Sequence, residues 1–80
     1  MKEIGEIFSY YSEIGVAAIR LSGSLKVGDK IRIQGHTTDF EQEVESMQIE
    51  HKKVVSAKKG DEVGIKVSEK VRKHDKIYKE

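Results

Sequence analysis

The sequence predicts an all-β domain, a small closed antiparallel β-barrel of six or seven strands. Three observations point there. Apolar residues recur at every second position in short runs, as in Lys30-Ile31-Arg32-Ile33-Gln34 and Glu62-Val63-Gly64-Ile65-Lys66-Val67, the spacing of a half-buried strand. Glycine and aspartate punctuate those runs, twice as the pair Gly28-Asp29 and Gly60-Asp61, a tight-turn signal. Val and Ile dominate the apolar set and there is no proline to interrupt a strand.

Eighty residues make one domain spanning 1–80, read either as a whole protein or as a piece from the C-terminus of a longer one. At this length folding buries about 60–65% of the unfolded surface, so one well-closed core is needed. Hydrophobic residues make up 36% and charged residues another 36%, but the net charge of +1 argues against disorder. The absence of cysteine removes disulfides, a thiolate nucleophile and thiolate-held zinc, and favours a reducing compartment. Residues 1–8 carry no basic region followed by a long apolar run, and no stretch approaches the ~20 apolar residues of a membrane helix. A cytoplasmic location without membrane contact is the expectation.

The first strand runs from Ile4 to Tyr11 with large residues on both faces, leaving Ile7 and Tyr11 to form an exposed apolar patch. Ser12-Glu13-Ile14-Gly15 turns the chain, with Gly15 free to take positive φ. Val16 to Leu21 follows as the hairpin partner, setting Ala17, Ile19 and Leu21 on one face. After Ser22-Gly23-Ser24, Leu25 and Val27 re-enter the core ahead of the turn at Gly28-Asp29 and the strand 30–34. Gly35 to Asp39 reverses the chain. Phe40 then opens the longest strand, to about His51, whose apolar phase changes after Glu45; a bulge near Glu45-Ser46 restores it. A helix over 40–51 would also align Phe40, Val44 and Met47, but turn-bounded, strand-rich flanks favour the bulged strand. Residues 51–59 form a polar connection, Glu62–Val67 the next strand, 68–75 a charged connection anchored by Val71, and Ile77 and Tyr78 close the sheet.

Two stretches carry a family resemblance. Gly23-Ser24-Leu25-Lys26-Val27-Gly28-Asp29 and Ala57-Lys58-Lys59-Gly60-Asp61-Glu62-Val63-Gly64-Ile65 match, in order and separation, motifs of the second-domain barrel of translation GTPases such as elongation factor Tu, which the chain resembles over nearly its whole length. With Gly35-His36-Thr37-Thr38-Asp39-Phe40 and Ser46-Met47-Gln48-Ile49-Glu50-His51, it is most similar to the C-terminal barrel of collagenase-like peptidases of family U32. The resemblance implies the translation-protein barrel fold and a non-catalytic accessory module following a catalytic domain, in a family some of whose members modify RNA bases. No Gly-x-x-x-x-Gly-Lys-Ser/Thr phosphate loop exists, so no GTPase is expected, and the cysteine-containing peptidase signature is absent.

Charge is segregated along the chain. Residues 1–51 hold five Lys/Arg against nine Asp/Glu, and residues 52–80 hold ten against five, balances of −4 and +5. Lys52, Lys53, Lys58, Lys59, Arg72 and Lys73 are therefore the candidate contacts to an RNA phosphate backbone, with His36 and Thr37 as secondary candidates. The alternatives are solvated surface lysines, and a 35–39 turn whose Asp39 or threonines satisfy its own amides. Glu41, Glu43 and Glu45 make an acidic stripe that repels nucleic acid and could face a basic protein, so they join Ile7 and Tyr11 as protein-interaction candidates. Tyr10, Tyr11 and Tyr78 are available either for base stacking or for packing at the barrel rim. His36, Asp39, Glu50 and His51 lack metal-ligand spacing, no serine sits in a Gly-x-Ser-x-Gly elbow, and neither metal nor cofactor is expected. The leading reading is an accessory barrel that binds tRNA- or rRNA-like RNA for a neighbouring catalytic domain; the alternative is a docking module of a collagenase-like peptidase.

Overall fold

The computed structural model describes residues 2–80, all ten of whose regular elements are strands: β1 (Lys2–Tyr11), β2 (Val16–Leu21), β3 (Leu25–Lys26), β4 (Lys30–Gln34), β5 (Asp39–Glu43), β6 (Met47–Ile49), β7 (Lys52–Val54), β8 (Ser56–Ala57), β9 (Glu62–Lys66) and β10 (Lys76–Lys79). No helix of the described residues is long and apolar enough to cross a membrane. Every pairing is antiparallel. Eight strands form one sheet in the order β5-β4-β10-β1-β2-β9-β6-β7, while β3 and β8 make a separate two-stranded ribbon.

The expected closed barrel of six or seven strands is thus an open half-barrel of eight. Its edges, β5 and β7, do not pair; the ribbon stands between them. Val27 N–H donates to the Val55 carbonyl at 2.9 Å on the β7 side, and Gly28 N–H to that of Val44 at 2.9 Å on the β5 side. A side chain bridges the seam as well. The Gln42 amide donates to the Lys66 carbonyl and accepts from Ser68 N–H, both at 2.8 Å.

The long strand expected over 40–51 breaks for the same reason. Val44, 1% exposed, turns into the core; its N–H makes the last bond in register with the β4–β5 ladder, to the Asp29 carbonyl at 2.9 Å, and its own carbonyl is taken by Gly28 N–H. The phase change after Glu45 is where the chain leaves β4 and crosses to β9, so it is a strand break and not a bulge. A hairpin then appears where the sequence suggested a polar connection. Glu50 and His51 take φ of 52° and 67° between the paired Ile49 and Lys52, the primed turn that matches the twist of two-residue hairpins.

The core follows from period-2 patterning. Ile19 of β2, Ile31 and Ile33 of β4 and Ile77 of β10 are fully buried, and Ala17, Leu21, Val63, Ile65 and Val71 join them. β1 departs from simple alternation. Register shifts between Glu3 and Gly5 and between Ile7 and Ser9 let Ile4 and Ile7 both point inward. Ile7 is therefore a core residue, which removes it from the exposed patch expected of it, whereas Tyr11 is 52% exposed beside Ile14 at 64%.

Three turns share one construction. In Lys26–Asp29, Lys58–Asp61 and Arg72–Asp75 the aspartate Oδ2 accepts from the first residue's N–H at 3.0, 3.0 and 2.9 Å. The aspartate's own N–H donates to that residue's carbonyl at 3.1, 3.0 and 3.1 Å. The third position requires positive φ: Gly28 at 97°, Gly60 at 94° and, in the last turn, His74 at 79°. A non-glycine side chain there costs about 1–2 kcal/mol of backbone strain.

Candidate nucleic-acid interface

The six candidate cations are all exposed, and among the described residues none enters an ion pair. Lys52 and Lys53 stand on edge strand β7, where the outer backbone groups are unpaired. Lys58 and Lys59 sit in a turn pinned to the end of β2, since Gly60 N–H donates to the Leu21 carbonyl at 3.0 Å and Leu21 N–H to that of Asp61 at 2.9 Å. Arg72 and Lys73 occupy the turn that clasps β1 through Ile7, with His74 N–H on the Ile7 carbonyl and Ile7 N–H on that of Asp75, both at 2.8 Å. Between these two turns lie β2 and β1, about three strand spacings or ~14 Å. The cations trace an arc around the curved sheet, not a single compact patch.

His36 and Thr37 are exposed at the β4–β5 turn and adjoin the Arg72 end of the arc, because Gly35 packs directly on the Asp75 carboxylate. The turn's amide is met by the backbone: Gly35 N–H donates to the Thr38 carbonyl at 2.7 Å. Asp39 serves a different purpose, accepting from Arg32 Nε at 2.8 Å. His36 and Asp39 adjoin edge strand β5, whereas Glu50 and His51 adjoin edge strand β7, at the other limit of the sheet.

The acidic stripe is partly answered within the fold. Glu41, Glu43 and Glu45 are exposed, but Glu43 faces Lys30 and Glu41 faces Arg32 across the β4–β5 ladder. Glu80 stands beside Glu41, and a hydrogen bond between the two carboxyls, ahead of burial, raises the Glu80 pKa above its ordinary value.

Two open grooves of about 540 Å³ mark the outer face. One runs over Tyr11, Ile14, Val16, Ala18 and Gly64 to His51 and is mainly apolar. The other lies over Glu6, with Phe8, Arg20, Ser22, Lys73 and His74 around it. Here a row of charges crosses four strands in register, Glu62 opposite Arg20, Arg20 opposite Glu6, and Glu6 opposite Lys76. Arg20 reaches Glu62 at 2.9 Å and lies 5.3 Å over the Phe8 ring. Glu6 takes Lys76 at 3.2 Å and His74 Nδ1 at 3.2 Å. Its carboxyl is held below the usual carboxylate range, first by the His74 hydrogen bond and then by that of Lys76. Lys76 is raised in return, chiefly by the Glu6 hydrogen bond.

Reading by charge runs missed Glu6, Arg20 and Lys76, because each lies alone in its own segment and only strand pairing aligns them. A signal for His74 was present: the three Asp turns read Gly28-Asp29, Gly60-Asp61 and His74-Asp75, so a histidine stands where two sister turns use glycine.

The model of the family described as elongation factor Tu domain 2 matches residues 16–77. An uncharacterized protease of Methanocaldococcus jannaschii is 48% identical over 77 residues, which is 95% of this chain and 19% of that protein. A collagenase of Porphyromonas gingivalis is 42% identical over 78 residues, 95% of this chain and 22% of the collagenase. The chain therefore spans about a fifth of the length of the curated relatives it matches. Among solved structures, the C-terminal domain of a Geobacillus thermoleovorans protein described as a U32 peptidase superposes with a TM-score of 0.93 at 22% identity, covering 99% of this chain and 92% of that one.

Proposed function

The chain belongs to the elongation factor Tu domain 2 family, and from that premise we propose that it is an accessory domain of a U32 peptidase-like protein that binds RNA along its basic arc. The observation that carries the reading is that Lys52, Lys53, Lys58, Lys59, Arg72 and Lys73 are exposed and, among the described residues, enter no ion pair, while Glu6 and Glu62 on the strands between them have cationic partners. Unpaired cations release counterions when they meet phosphates, and that release drives sequence-independent binding. His36 and Thr37 extend the arc beyond Arg72. A tRNA- or rRNA-like element held there is presented to a preceding catalytic domain in the cytoplasm.

The test is a titration of the chain with labelled total tRNA at several salt concentrations. Micromolar binding with a log–log salt slope approaching −4 is expected if all six cations engage a single strand, at roughly −0.7 per phosphate. Charge reversal of Lys58, Lys59, Arg72 and Lys73 together should flatten that slope by more than half. An unchanged affinity in that variant would falsify the reading.

A second reading has its own observation. Tyr11 and Ile14 are exposed large apolar residues lining the apolar groove, and they suit docking against the remainder of a longer parent chain. Tyr11→Glu should then abolish association with the catalytic part of the parent protein while leaving tRNA binding intact.

A further inference from the structure

We propose, resting on the RNA-binding reading, that the groove over Glu6 reads the sugar of the strand: His74 Nε2 accepts a ribose 2′-hydroxyl while Arg20 and Lys73 hold adjacent phosphates. The starting point is the histidine at the strained position. The turns at Lys26–Asp29 and Lys58–Asp61 close with glycine there, and the third closes with the same two hydrogen bonds around His74. Nothing in the turn calls for an imidazole. Nor does the contact with Glu6 account for one, since the His74 side chain is 76% exposed and so wet a contact contributes little to stability. Backbone strain at a groove is the kind of outlier from which a functional role is inferred.

The chemistry of the groove says what the ring is for. The Glu6 carboxylate, already bound to Lys76, can only accept, so Nδ1 of His74 carries the proton in their 3.2 Å hydrogen bond. In the neutral ring Nε2 is then a bare acceptor, with its direction set by Glu6. An acceptor so placed repels phosphate oxygens and seeks a hydroxyl donor. Arg20 spends Nε and Nη2 on Glu62, at 3.2 and 2.9 Å, and keeps Nη1 for a ligand; Lys73 has no ion-pair partner among the described residues. Two cations and one ring acceptor lining the same groove match the alternation of phosphate and sugar along a strand. The remaining charged residue lining the groove is Glu3, which lies 3.7 Å from Lys76. The volume of about 540 Å³ falls inside the roughly 300–1,000 Å³ of ligand clefts. The 2′-hydroxyl is what distinguishes RNA from DNA, so the groove would confer that preference on an otherwise indifferent arc.

Anisotropy titrations with single-stranded RNA, DNA and 2′-O-methyl RNA octamers of one sequence, at one salt concentration, test the proposal. The chain should bind RNA about threefold to tenfold more tightly than DNA, the value of one hydrogen bond to an uncharged acceptor, and 2′-O-methyl RNA should bind like DNA. His74→Gly, which suits the backbone and should melt no lower than the parent, should bring RNA affinity down to that of DNA and leave DNA binding unchanged. Replacing Lys58 and Lys59 with glutamate should weaken RNA and DNA binding by the same factor. Equal affinity for RNA and DNA, a preference that survives His74→Gly, or full binding of 2′-O-methyl RNA would each overturn the proposal while leaving the RNA-binding reading standing. Absence of any nucleic-acid binding at low salt would overturn both.

Discussion

Replacing Gly35 by alanine should destabilise the domain through a contact far away in sequence. A Cβ built on Gly35 would overlap Oδ1 of Asp75 and stand 2.6 Å from its Cγ. Asp75 cannot simply swing away. It is 4% exposed, and its Oδ2 accepts from Arg72 N–H at 2.9 Å, the bond that closes the turn clasping β1. Overpacking of this kind costs about 1–3 kcal/mol. Loss of the bond from Arg72 N–H adds about 1 kcal/mol. The expected penalty is therefore about 3 kcal/mol. An 80-residue domain has about 4–12 kcal/mol to lose, so the variant should remain folded at room temperature. At about 4–8 °C per kcal/mol for this size, the melting temperature should fall by roughly 12–24 °C. The assay is urea unfolding followed by circular dichroism, for Gly35→Ala, Asp75→Ala and the double variant. Asp75→Ala alone should cost about 1–2 kcal/mol, because it strips the acceptor from Arg72 N–H. It should also make room for the new methyl, so the double variant should lose at least about 1 kcal/mol less than the two singles combined. A Gly35→Ala cost below about 0.5 kcal/mol, or strictly additive costs, would refute the claim that the two turns are locked together.

Gln42→Leu keeps the side chain's bulk but deletes both bonds across the seam, so it should cost about 1–2 kcal/mol and speed hydrogen exchange at the Ser68 amide, with little change at β1. Glu50→Asn with His51→Gly relieves two left-handed residues in the β6–β7 turn and should raise the urea midpoint by the equivalent of about 1–2 kcal/mol at constant m. The pair formed by Glu6 and Lys76 should leave a signature in stability against pH. The folded pKa of Glu6 lies below its ordinary 4.5, so its contribution is present above that value and lost as pH falls through the folded pKa. Lys76 lies above its ordinary 10.5, so its contribution is present below that value and lost as pH rises through the folded pKa. The gap in melting temperature between the parent and Lys76→Gln should therefore be widest across the middle of the pH range and close towards both extremes; a gap that persists unchanged below the carboxylate range would contradict the pairing.

The turn chemistry and the inward residues of β2, β4 and β9 were legible along the chain because they depend on local spacing. Ala17, Ile19, Ile31, Ile33, Val63 and Ile65 alternate by two, and only one register buries them. The Gly-Asp turns follow from the need for positive φ beside a carboxylate that can fold back on its own backbone. So did the family resemblance, which rests on those turns, and the exposure of the basic residues, which carry charge that water holds more cheaply than a protein interior does. What no local rule contained were the partners of residues far apart in sequence. Ile7 is buried with Ile4 because the register shift between Glu3 and Gly5 changes the parity of β1, and the shift after Ile7 sends Tyr11 outward; such shifts depend on what β2 and β10 present. Val44 ends a strand where its carbonyl is taken by Gly28 N–H and its side chain enters the core. Lys30 and Arg32 face the acidic stripe, and Glu6, Arg20, Glu62 and Lys76 form a row, only once six strands lie side by side. Period and turn are properties of neighbours along the chain, set by backbone sterics. Register, seam and charge row are properties of neighbours in space, set by which strands the hydrogen-bond ladder brings to within ~5 Å of each other.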